Sequence, residues 1–230
     1  MVFFQDLFKK YDRLFFFDTE TTGLRASRDQ IIEFASVVVE NQDGEPKIAW
    51  AYDQLLTLYP GTSIPPNITE LTHISNELVA QCGIPKEQVC KDIANMISSP
   101  NTLLIAYNAN FDLCFTYYLL AAHGDPSILQ GKDKLDLLTV YKDRTCYPHR
   151  LENAIEFFGL SKMVKNSHRA VDDVKATVEV MKMLELDRND LLSYVNLFGF
   201  NPKYGPPRDR IRSVTYKAQP YDSPIPLYEL

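Results

Sequence analysis

Strand-like and helix-like apolar patterns alternate along this chain. Runs rich in Phe, Ile and Val, bounded by turns that contain Gly or Pro, predict strands. The predicted strands are residues 13–20, 30–40, 47–58 and 102–107. Gly23 lies between the first two, which are therefore expected to form a hairpin. Pro65-Pro66 then predicts a break in regular structure, since helix propensity is lowest at proline.

Helical periodicity, with apolar residues three or four positions apart, dominates the later part of the chain. It predicts a helix that begins at Pro85 and further helices over residues 111–122, 150–158 and 170–186. Pro85 suits a first helical turn because its missing N–H is not needed there. Asp112 then lies at a strand-to-helix junction, and Phe115 and Tyr118 are expected on the buried face of the helix that follows.

Composition is that of a folded globular chain, with 45% hydrophobic and 23% charged residues among 230. No apolar stretch is long enough to span a bilayer, and early charges interrupt any signal-peptide core, so no membrane association and a cytoplasmic location are expected. The four cysteines show no metal-ligand spacing. A net charge of −6 argues against broad, non-specific duplex binding. It does not exclude a nucleic-acid enzyme whose positive charge resides in bound metal ions.

The segment Phe15-Phe16-Phe17-Asp18-Thr19-Glu20 sets two carboxylates at the end of an apolar strand. Side chains alternate faces in an extended backbone, so Asp18 and Glu20 project from one side, about 7 Å apart. Two close carboxylates repel and are costly to desolvate, so the pair calls for a cation. Oxygen ligands without thiol or imidazole partners favour Mg²⁺ or Mn²⁺ over Zn²⁺.

Three segments of the chain carry such acids in order. They are Asp18-Thr19-Glu20-Thr21-Thr22-Gly23, Asn108-Ala109-Asn110-Phe111-Asp112 and His168-Arg169-Ala170-Val171-Asp172-Asp173. Together they closely resemble the three motifs of the DEDDh 3′-5′ exonucleases, the group typified by the proofreading epsilon subunit of bacterial DNA polymerase III. The resemblance spans about residues 13–186.

The resemblance implies a role for each motif residue. Asp18, Glu20, Asp112 and Asp173 are expected to ligate two divalent ions, Mg²⁺ or Mn²⁺. His168 is expected to be the general base, since a histidine accepts a proton near neutral pH. Asp173 fits the H-x₄-D spacing of the family. Asp172 is one position off and is interpreted as a solvated acid at a helix start.

Substrate contacts are implied for the loop after the first motif. In the family this loop holds the 3′-terminal nucleotide, and the expected binding residues are Thr19, Thr21, Thr22, Gly23, Leu24 and Asn108. Leu24 would act as a wedge at the terminal base. Tyr107 stands where a histidine is common, and His73 occupies the glycine of a segment that usually reads Thr-Gly-Ile. The shape of that segment and its contact with the substrate are therefore expected to differ.

The fold that the resemblance implies is α/β, ribonuclease H-like, with a mixed sheet of about five strands and helices on both faces. The first three strands would be antiparallel and the others parallel. The implied function is metal-dependent 3′-5′ exonucleolysis that releases 5′-mononucleotides from single-stranded or frayed nucleic-acid ends. DNA is favoured as substrate. RNA or oligoribonucleotide trimming stays open, because recognition of a 2′-hydroxyl needs only one or two local contacts.

Residues 1–196 are expected to form the exonuclease domain and residues 197–230 a Pro-rich, irregular C-terminal tail. Three roles for the tail stay open. It can dock on a polymerase or another nucleic-acid-processing subunit. In the extreme form of this alternative, the domain is a non-catalytic nucleic-acid-binding subunit of a polymerase complex. Its arginines, Arg208, Arg210 and Arg212, can grip substrate phosphates. Its aromatic residues can pack it on the domain surface.

Overall fold

The computed structural model describes residues 2–164, 167–220 and 223–230. Its centre is a five-stranded sheet with the strand order β3-β2-β1-β4-β5. The strands are Arg13–Thr21 (β1), Ile31–Gln42 (β2), Glu45–Leu55 (β3), Thr102–Ala106 (β4) and Lys134–Asp136 (β5). The pairs β1–β2 and β2–β3 are antiparallel, whereas β1–β4 and β4–β5 are parallel. The predicted mixed sheet, antiparallel first and parallel beyond, is confirmed.

Eight α-helices surround this sheet in the described parts of the chain. They are Gln5–Phe8 (α1), Pro66–Thr72 (α2), Asn76–Cys82 (α3), Lys86–Met96 (α4), Ala109–His123 (α5), Leu137–Lys142 (α6), Leu151–Phe157 (α7) and Ala170–Asp187 (α8). Described residues include no helix that is both long and apolar enough to cross a membrane.

The apolar side chains of β1, the central strand, pack on both faces of the sheet. Leu14 and Phe16 belong to one buried cluster together with apolar residues of α6, α7 and α8. Phe15 and Phe17 belong to a second buried cluster with residues of α4 and α5. Alternation along the strand sends neighbouring side chains to opposite faces, so a continuous apolar run is what a strand covered on both sides requires. Helices therefore cover both faces, as predicted.

Several parts of the fold differ from the sequence-based expectation. The Pro65-Pro66 segment does not break the structure: α2 begins at Pro66, where a first-turn proline needs no N–H partner, and α3 follows it. β5 and α6 were not predicted, because a strand of three residues is too short to show a period. The side chain of Asp136 accepts hydrogen bonds from the N–H groups of Ala109 and Thr139, and thereby ties the starts of α5 and α6 together.

The segment after Asn196 contains regular structure. Leu197–Phe200 (β6) and Thr215–Ala218 (β7) form a parallel pair. Phe198 and Leu227 are buried, and the Leu227 N–H donates to Asp143 of the domain at 2.7 Å. Short strands separated by a long Pro-rich connection leave no periodic signal, which is why the sequence pattern suggested an irregular segment. The division of the chain after residue 196 stays a prediction.

Candidate active site

Asp18 and Glu20 lie near the carboxyl end of β1, on the face that Leu14 and Phe16 share with α8. Asp173 reaches them from the first turn of α8. One carboxylate oxygen from each of these three residues lies within 4.8 Å of the others. The β1–β2 register shifts between Glu20 and Thr21, beside the cluster, as is common where a sheet re-aims side chains at a site. Three of the four predicted metal ligands therefore meet.

Asp112, the fourth predicted ligand, approaches from the helix α5 on the other side of β1. It is buried in the first turn of α5, and its Oδ1 accepts hydrogen bonds from the Thr19 N–H at 3.0 Å and the Thr19 hydroxyl at 2.8 Å. Thr19 stands between Asp18 and Glu20 in sequence, so its side chain points to the face opposite theirs. Asp112 is thus held next to the cluster of three carboxylates but is not part of that close group.

Burial, then the charges of neighbouring acids, raise the pKa of all four acids. Burial raises the pKa of Asp18 well above its ordinary value, and the charges of Asp112 and Asp173 raise it further. Burial, then the neighbouring Asp173, raises the pKa of Glu20 to about 8. Burial raises that of Asp112 to about 7 against the opposing hydrogen bonds from Thr19, and that of Asp173 to about 7. Without a cation, the site therefore holds protons near neutral pH.

The residues fit a hard divalent cation. Buried carboxylates are stable when charged only if a cation or hydrogen-bond donors compensate them. The Oδ1 atom of Asp173 is buried and has no hydrogen-bond partner within the described residues. All the ligand atoms that the cluster offers to a metal are carboxylate oxygens, the type that Mg²⁺ and Mn²⁺ prefer. The family's ligand set is therefore compatible with this geometry.

His168, the predicted general base, immediately precedes α8. It is exposed and has a φ of 53°, in the left-handed region. The next residue, Arg169, is the N-cap of α8, and Asp173 lies in the first turn. Asp172, in the same turn, accepts a hydrogen bond from the Ser167 hydroxyl at 2.7 Å. The sequence order therefore places an exposed imidazole within a few residues of the carboxylate cluster, while Asp172 is engaged locally.

Glu33 is a residue that the sequence reasoning missed. It is fully buried on β2, directly paired with Glu20 across the sheet. Its Oε1 accepts a hydrogen bond from Arg169 Nε at 2.8 Å, and its Oε2 accepts one from the Ala170 N–H at 2.7 Å. The available signal was one charged residue inside the largely apolar run Ile31–Val39, since a charged residue is rarely fully buried without a partner.

The predicted substrate loop belongs to the connection of residues 22–30 between β1 and β2. The Thr21 hydroxyl donates to the Gly23 carbonyl oxygen at 2.6 Å, and Thr22 Oγ1 accepts from the Gln30 N–H at 2.9 Å. A Cβ at Gly23 would lie 2.5 Å from an oxygen of the Asp29 side chain, so a larger residue there would displace a carboxylate that accepts the Arg25 N–H. The side chain of Leu24 is 85% exposed at the tip of the loop. An apolar side chain held out to solvent has the geometry that a wedge at a terminal base requires.

Two further predicted contacts lie on left-handed backbone. Asn108 is exposed, has a φ of 70° and comes directly before α5, the helix that carries Asp112. Tyr107, in the place of the common histidine, is buried and donates to the His149 carbonyl oxygen at 2.8 Å. His73 has a φ of 59° and a ψ of 19° at the end of α2. His73 therefore ends α2 in a left-handed conformation, which glycine adopts most readily, and the effect of the histidine on the substrate contact stays a prediction.

Known proteins resemble this chain over most of its length. The family model described as exonuclease, of the RNase T type, matches residues 15–181. The chain is 31% identical to the DNA polymerase III epsilon subunit of Treponema pallidum over 71% of this chain and 72% of that protein. It is 33% identical to a PolC-type DNA polymerase III of Caldanaerobacter subterraneus, over 74% of this chain but 11% of that protein.

The fold resembles that of a solved exonuclease. Exonuclease I of E. coli, in complex with a dT13 oligonucleotide, superposes with a TM-score of 0.70 and 21% sequence identity. The match covers 80% of this chain and 43% of that one, so the chain spans less than half of exonuclease I. The family match contains the three-carboxylate cluster, Asp112 and His168. The chain therefore belongs to the exonuclease family, as a member of its DEDDh group of 3′-5′ exonucleases.

Proposed function

We propose that this chain removes 5′-mononucleotides, with divalent metal ions, from the 3′ ends of single-stranded or frayed DNA. The observation that carries the proposal is the meeting of Asp18, Glu20 and Asp173, with the oxygens of the three within 4.8 Å, beside Asp112. Such a cluster is costly to a fold that does not use it, because buried like charges repel. Its presence at the exposed end of a central strand is typical of a metal-dependent hydrolase.

Four carboxylates would hold the metal ions: Asp18, Glu20 and Asp173 directly, with Asp112 completing the set from the α5 side. When bound, two divalent ions supply an activated water and stabilise the negative charge on the leaving oxygen. The raised carboxylate pKa values support this assignment, since a cation would replace the protons that otherwise neutralise the site.

His168 is proposed to accept the proton of the attacking water. The water oxygen forms a bond to the terminal phosphorus, the bond from phosphorus to the 3′ oxygen breaks, and a nucleoside 5′-monophosphate leaves. The remaining strand keeps a new 3′-hydroxyl. An exposed imidazole on left-handed backbone next to a helix start is accessible to such a water, and the ion pair of Arg169 with Glu33 holds the following residue in place.

The loop after β1 is proposed to hold the terminal nucleotide. Thr19, Thr21 and Thr22 lie along and just after the end of β1 beside the carboxylates, Gly23 follows them, and Leu24 is exposed at the tip. Asn108 would contact the same nucleotide from the start of α5. A single strand or a frayed end fits this arrangement because the terminal base must be unstacked to meet an apolar wedge.

DNA is the proposed polymer because the epsilon-subunit relative, of which the chain covers 72%, carries a DNA polymerase name, and the solved relative holds a dT13 oligonucleotide. For the same reason we propose association with a replicative polymerase in proofreading. The epsilon and PolC-type relatives are named as parts of DNA polymerase III. Cytoplasmic location follows from that role and is proposed with it.

The test is hydrolysis of 5′-labelled single-stranded DNA and RNA of matched sequence, with Mg²⁺, with Mn²⁺ and with EDTA. The native chain is compared with Asp18→Ala, His168→Ala and the surface control Glu156→Gln. We expect a ladder that shortens from the 3′ end, requires metal and both residues, and forms faster on DNA.

Each other outcome has a defined meaning. Faster degradation of RNA with the same residue dependence would make the chain an RNA-trimming exonuclease. No metal-dependent cleavage of either polymer, with retained strand binding, would make it a non-catalytic binding subunit. A label released from the 5′ end would contradict the proposed direction.

A further inference from the structure

A cleft of about 650 Å³ lies between α5 and residues 209–213 of the C-terminal segment. Tyr117 and Tyr118 of α5 line one wall, and Arg210 and Arg212 line the other. We propose that this cleft binds the single strand of nucleic acid on the 5′ side of the nucleotide being removed. This inference rests on the proposed exonuclease function.

The first argument is charge. Arg208, Arg210 and Arg212 are exposed, and none of them forms an ion pair or hydrogen bond with another described residue. Asp209 is the one acid among residues 208–213. This loop carries a net positive charge, whereas the whole chain carries a net charge of −6. Phosphate groups are the natural partners of such unpaired, exposed guanidinium groups.

The second argument is the pair of tyrosines facing those arginines. The side chains of Tyr117 and Tyr118 are 50% and 40% exposed, and their ring centroids lie 5.7 Å apart. Tyr118 was expected to be buried, but α5 is apolar on most of its circumference, so its pattern does not identify the outer face. Exposed aromatic rings next to basic side chains are typical of surfaces that bind single strands, because unpaired bases stack on the rings. A duplex offers no such bases.

The third argument is how the arginine loop is fastened. Asn110 Nδ2 donates to the Asp209 carbonyl oxygen at 3.1 Å, and the Tyr216 hydroxyl donates to Asn110 Oδ1. The same hydroxyl accepts from the Ile211 N–H at 3.0 Å. The loop is thus anchored on the first turn of α5, the turn that carries Asp112. The basic wall is held by side chains at the helix end that forms part of the active site.

The arrangement also gives a path for the strand. Asn110 and Asp112 leave the first turn of α5 on different sides, and the exposed Asn108 precedes that turn. From Asn110 to Tyr117 the helix extends about 10 Å. At 3.4 Å or more per nucleotide, that length accommodates up to about three nucleotides. A strand whose 3′ end lies at the carboxylates would pass Asn108 and continue along the cleft.

One wall of the cleft lies outside the shared catalytic region. The exonuclease family match ends at residue 181, whereas the arginine loop lies at residues 208–213. The arginine wall of the cleft therefore lies beyond the part of the chain that the family model matches. A binding site beyond the terminal nucleotide would favour longer strands over dinucleotides.

Two measurements test the inference on the full chain. The variants are Arg210→Ala with Arg212→Ala, and Tyr117→Ala. The control Lys47→Ala with Lys91→Ala removes two exposed charges elsewhere. Binding of a fluorescent 12-nucleotide DNA strand is followed by anisotropy in EDTA between 50 and 200 mM NaCl. Hydrolysis of the same strand in Mn²⁺ is compared with hydrolysis of the p-nitrophenyl ester of thymidine 5′-monophosphate, a substrate too short to enter the cleft.

Loss of two phosphate contacts is expected to lower the slope of log affinity against log salt by about 1.4, and the affinity about tenfold at 100 mM salt. Tyr117→Ala is expected to weaken binding without changing that slope. The arginine variant should also lower the ratio of kcat/KM on the strand to kcat/KM on the ester. The control should change none of these values.

An arginine variant whose salt slope, affinity and ratio all equal those of the native chain would overturn the inference, and the cleft would then be free to dock a protein. Failure of the proposed function gives a different result. In that case the native chain would not hydrolyse the ester in Mn²⁺, whatever the strand binding shows.

Discussion

Arg169, at the start of α8, is bound by the buried carboxylate of Glu33 on β2, with its Nε 2.8 Å from Oε1. The second oxygen of the same carboxylate accepts the Ala170 N–H at 2.7 Å. Glu33 therefore fixes both the side chain and the backbone at the first residues of α8. His168 precedes this point and Asp173 follows it within one helical turn. The geometry of two proposed catalytic residues thus depends on an acid that contacts neither of them through a hydrogen bond.

Glu33→Gln is expected to lower metal affinity or turnover about 10- to 100-fold, the usual effect of losing a group that orients metal ligands. The glutamine leaves Arg169 without its anion. The side chain of Arg169 is 34% exposed, so the loss in unfolding free energy should be about 1–3 kcal/mol, less than for a fully buried pair. Titration with Mn²⁺ and thermal unfolding measure the two effects. Glu40→Gln, which breaks a more exposed pair on the same strand, is the control and should leave metal affinity unchanged.

The carboxylate cluster is expected to destabilise the metal-free protein as the pH rises. Glu20, Asp112 and Asp173 have pKa values raised to about 8, 7 and 7 in the fold. The folded state therefore binds more protons than the unfolded chain between pH 4 and 8, and stability falls over that range. In EDTA the melting temperature should be lower at pH 8 than at pH 5.5, and Mn²⁺ should raise it most at pH 8. A melting temperature in EDTA that does not fall toward pH 8 would contradict this reading.

Asp18→Asn is expected to stabilise the metal-free protein while it abolishes activity. An amide removes one of the buried like charges, so the melting temperature in EDTA at pH 8 should rise by about 2–6 °C. The same change should remove most of the stabilisation by Mn²⁺. Glu156→Gln, an exposed substitution on α7, should do neither. Loss of stability in Asp18→Asn would mean that the carboxylate is held by partners that the asparagine fails to replace.

His168→Ala is expected to lower kcat about 10²- to 10⁴-fold, the range for loss of a general base. His168 is exposed, so the melting temperature should be unchanged, and the metal affinity should stay near that of the native chain. His123→Ala, which removes a histidine paired with Glu87 on another surface, is the matched control for activity. Turnover within threefold of native would remove His168 from the mechanism.

Substitution of Asp173 is expected to lower activity, whereas the same substitution of Asp172 is not. Asp173→Asn removes a buried oxygen of the cluster, so kcat should fall by about 10² or more, as expected when several kcal/mol of transition-state stabilisation are lost. Asp172→Asn alters a residue hydrogen-bonded to Ser167, and activity should stay within a few-fold of native. Steady-state kinetics on one DNA strand compares the two variants. Equal losses would mean that the H-x₄-D spacing does not identify the ligand.

Phe198→Ala is expected to lower the free energy of unfolding by about 3–5 kcal/mol, because Phe198 is buried against the second apolar cluster. The substitution tests whether the C-terminal segment contributes to the stability of the domain. Tyr204→Ala, at an exposed ring of the same segment, should cost little. Urea unfolding measures both. A small effect at Phe198 would favour a segment that serves chiefly to dock a partner.

The linear sequence determined the parts of this protein that depend on short-range periodicity. Alternation along residues 13–20 places Asp18 and Glu20 on one face, and the strand holds them there. The helical period that ends near residue 186 similarly predicted α8 and put Asp173 in its first turn. The three motifs identified the family, because their order and spacing are visible without coordinates.

Only the tertiary structure decided which groups meet across long separations. Thr19 donates a hydrogen bond to Asp112, and Arg169 donates one to Glu33. No local sequence pattern relates the two residues of either pair. His73 adopts a left-handed conformation because α2 ends there, a helix that the two prolines concealed. The cleft beside α5 likewise depends on the packing of Tyr216 against Asn110. Periodicity fixes which way a side chain points from its own element, whereas packing alone determines what it points toward.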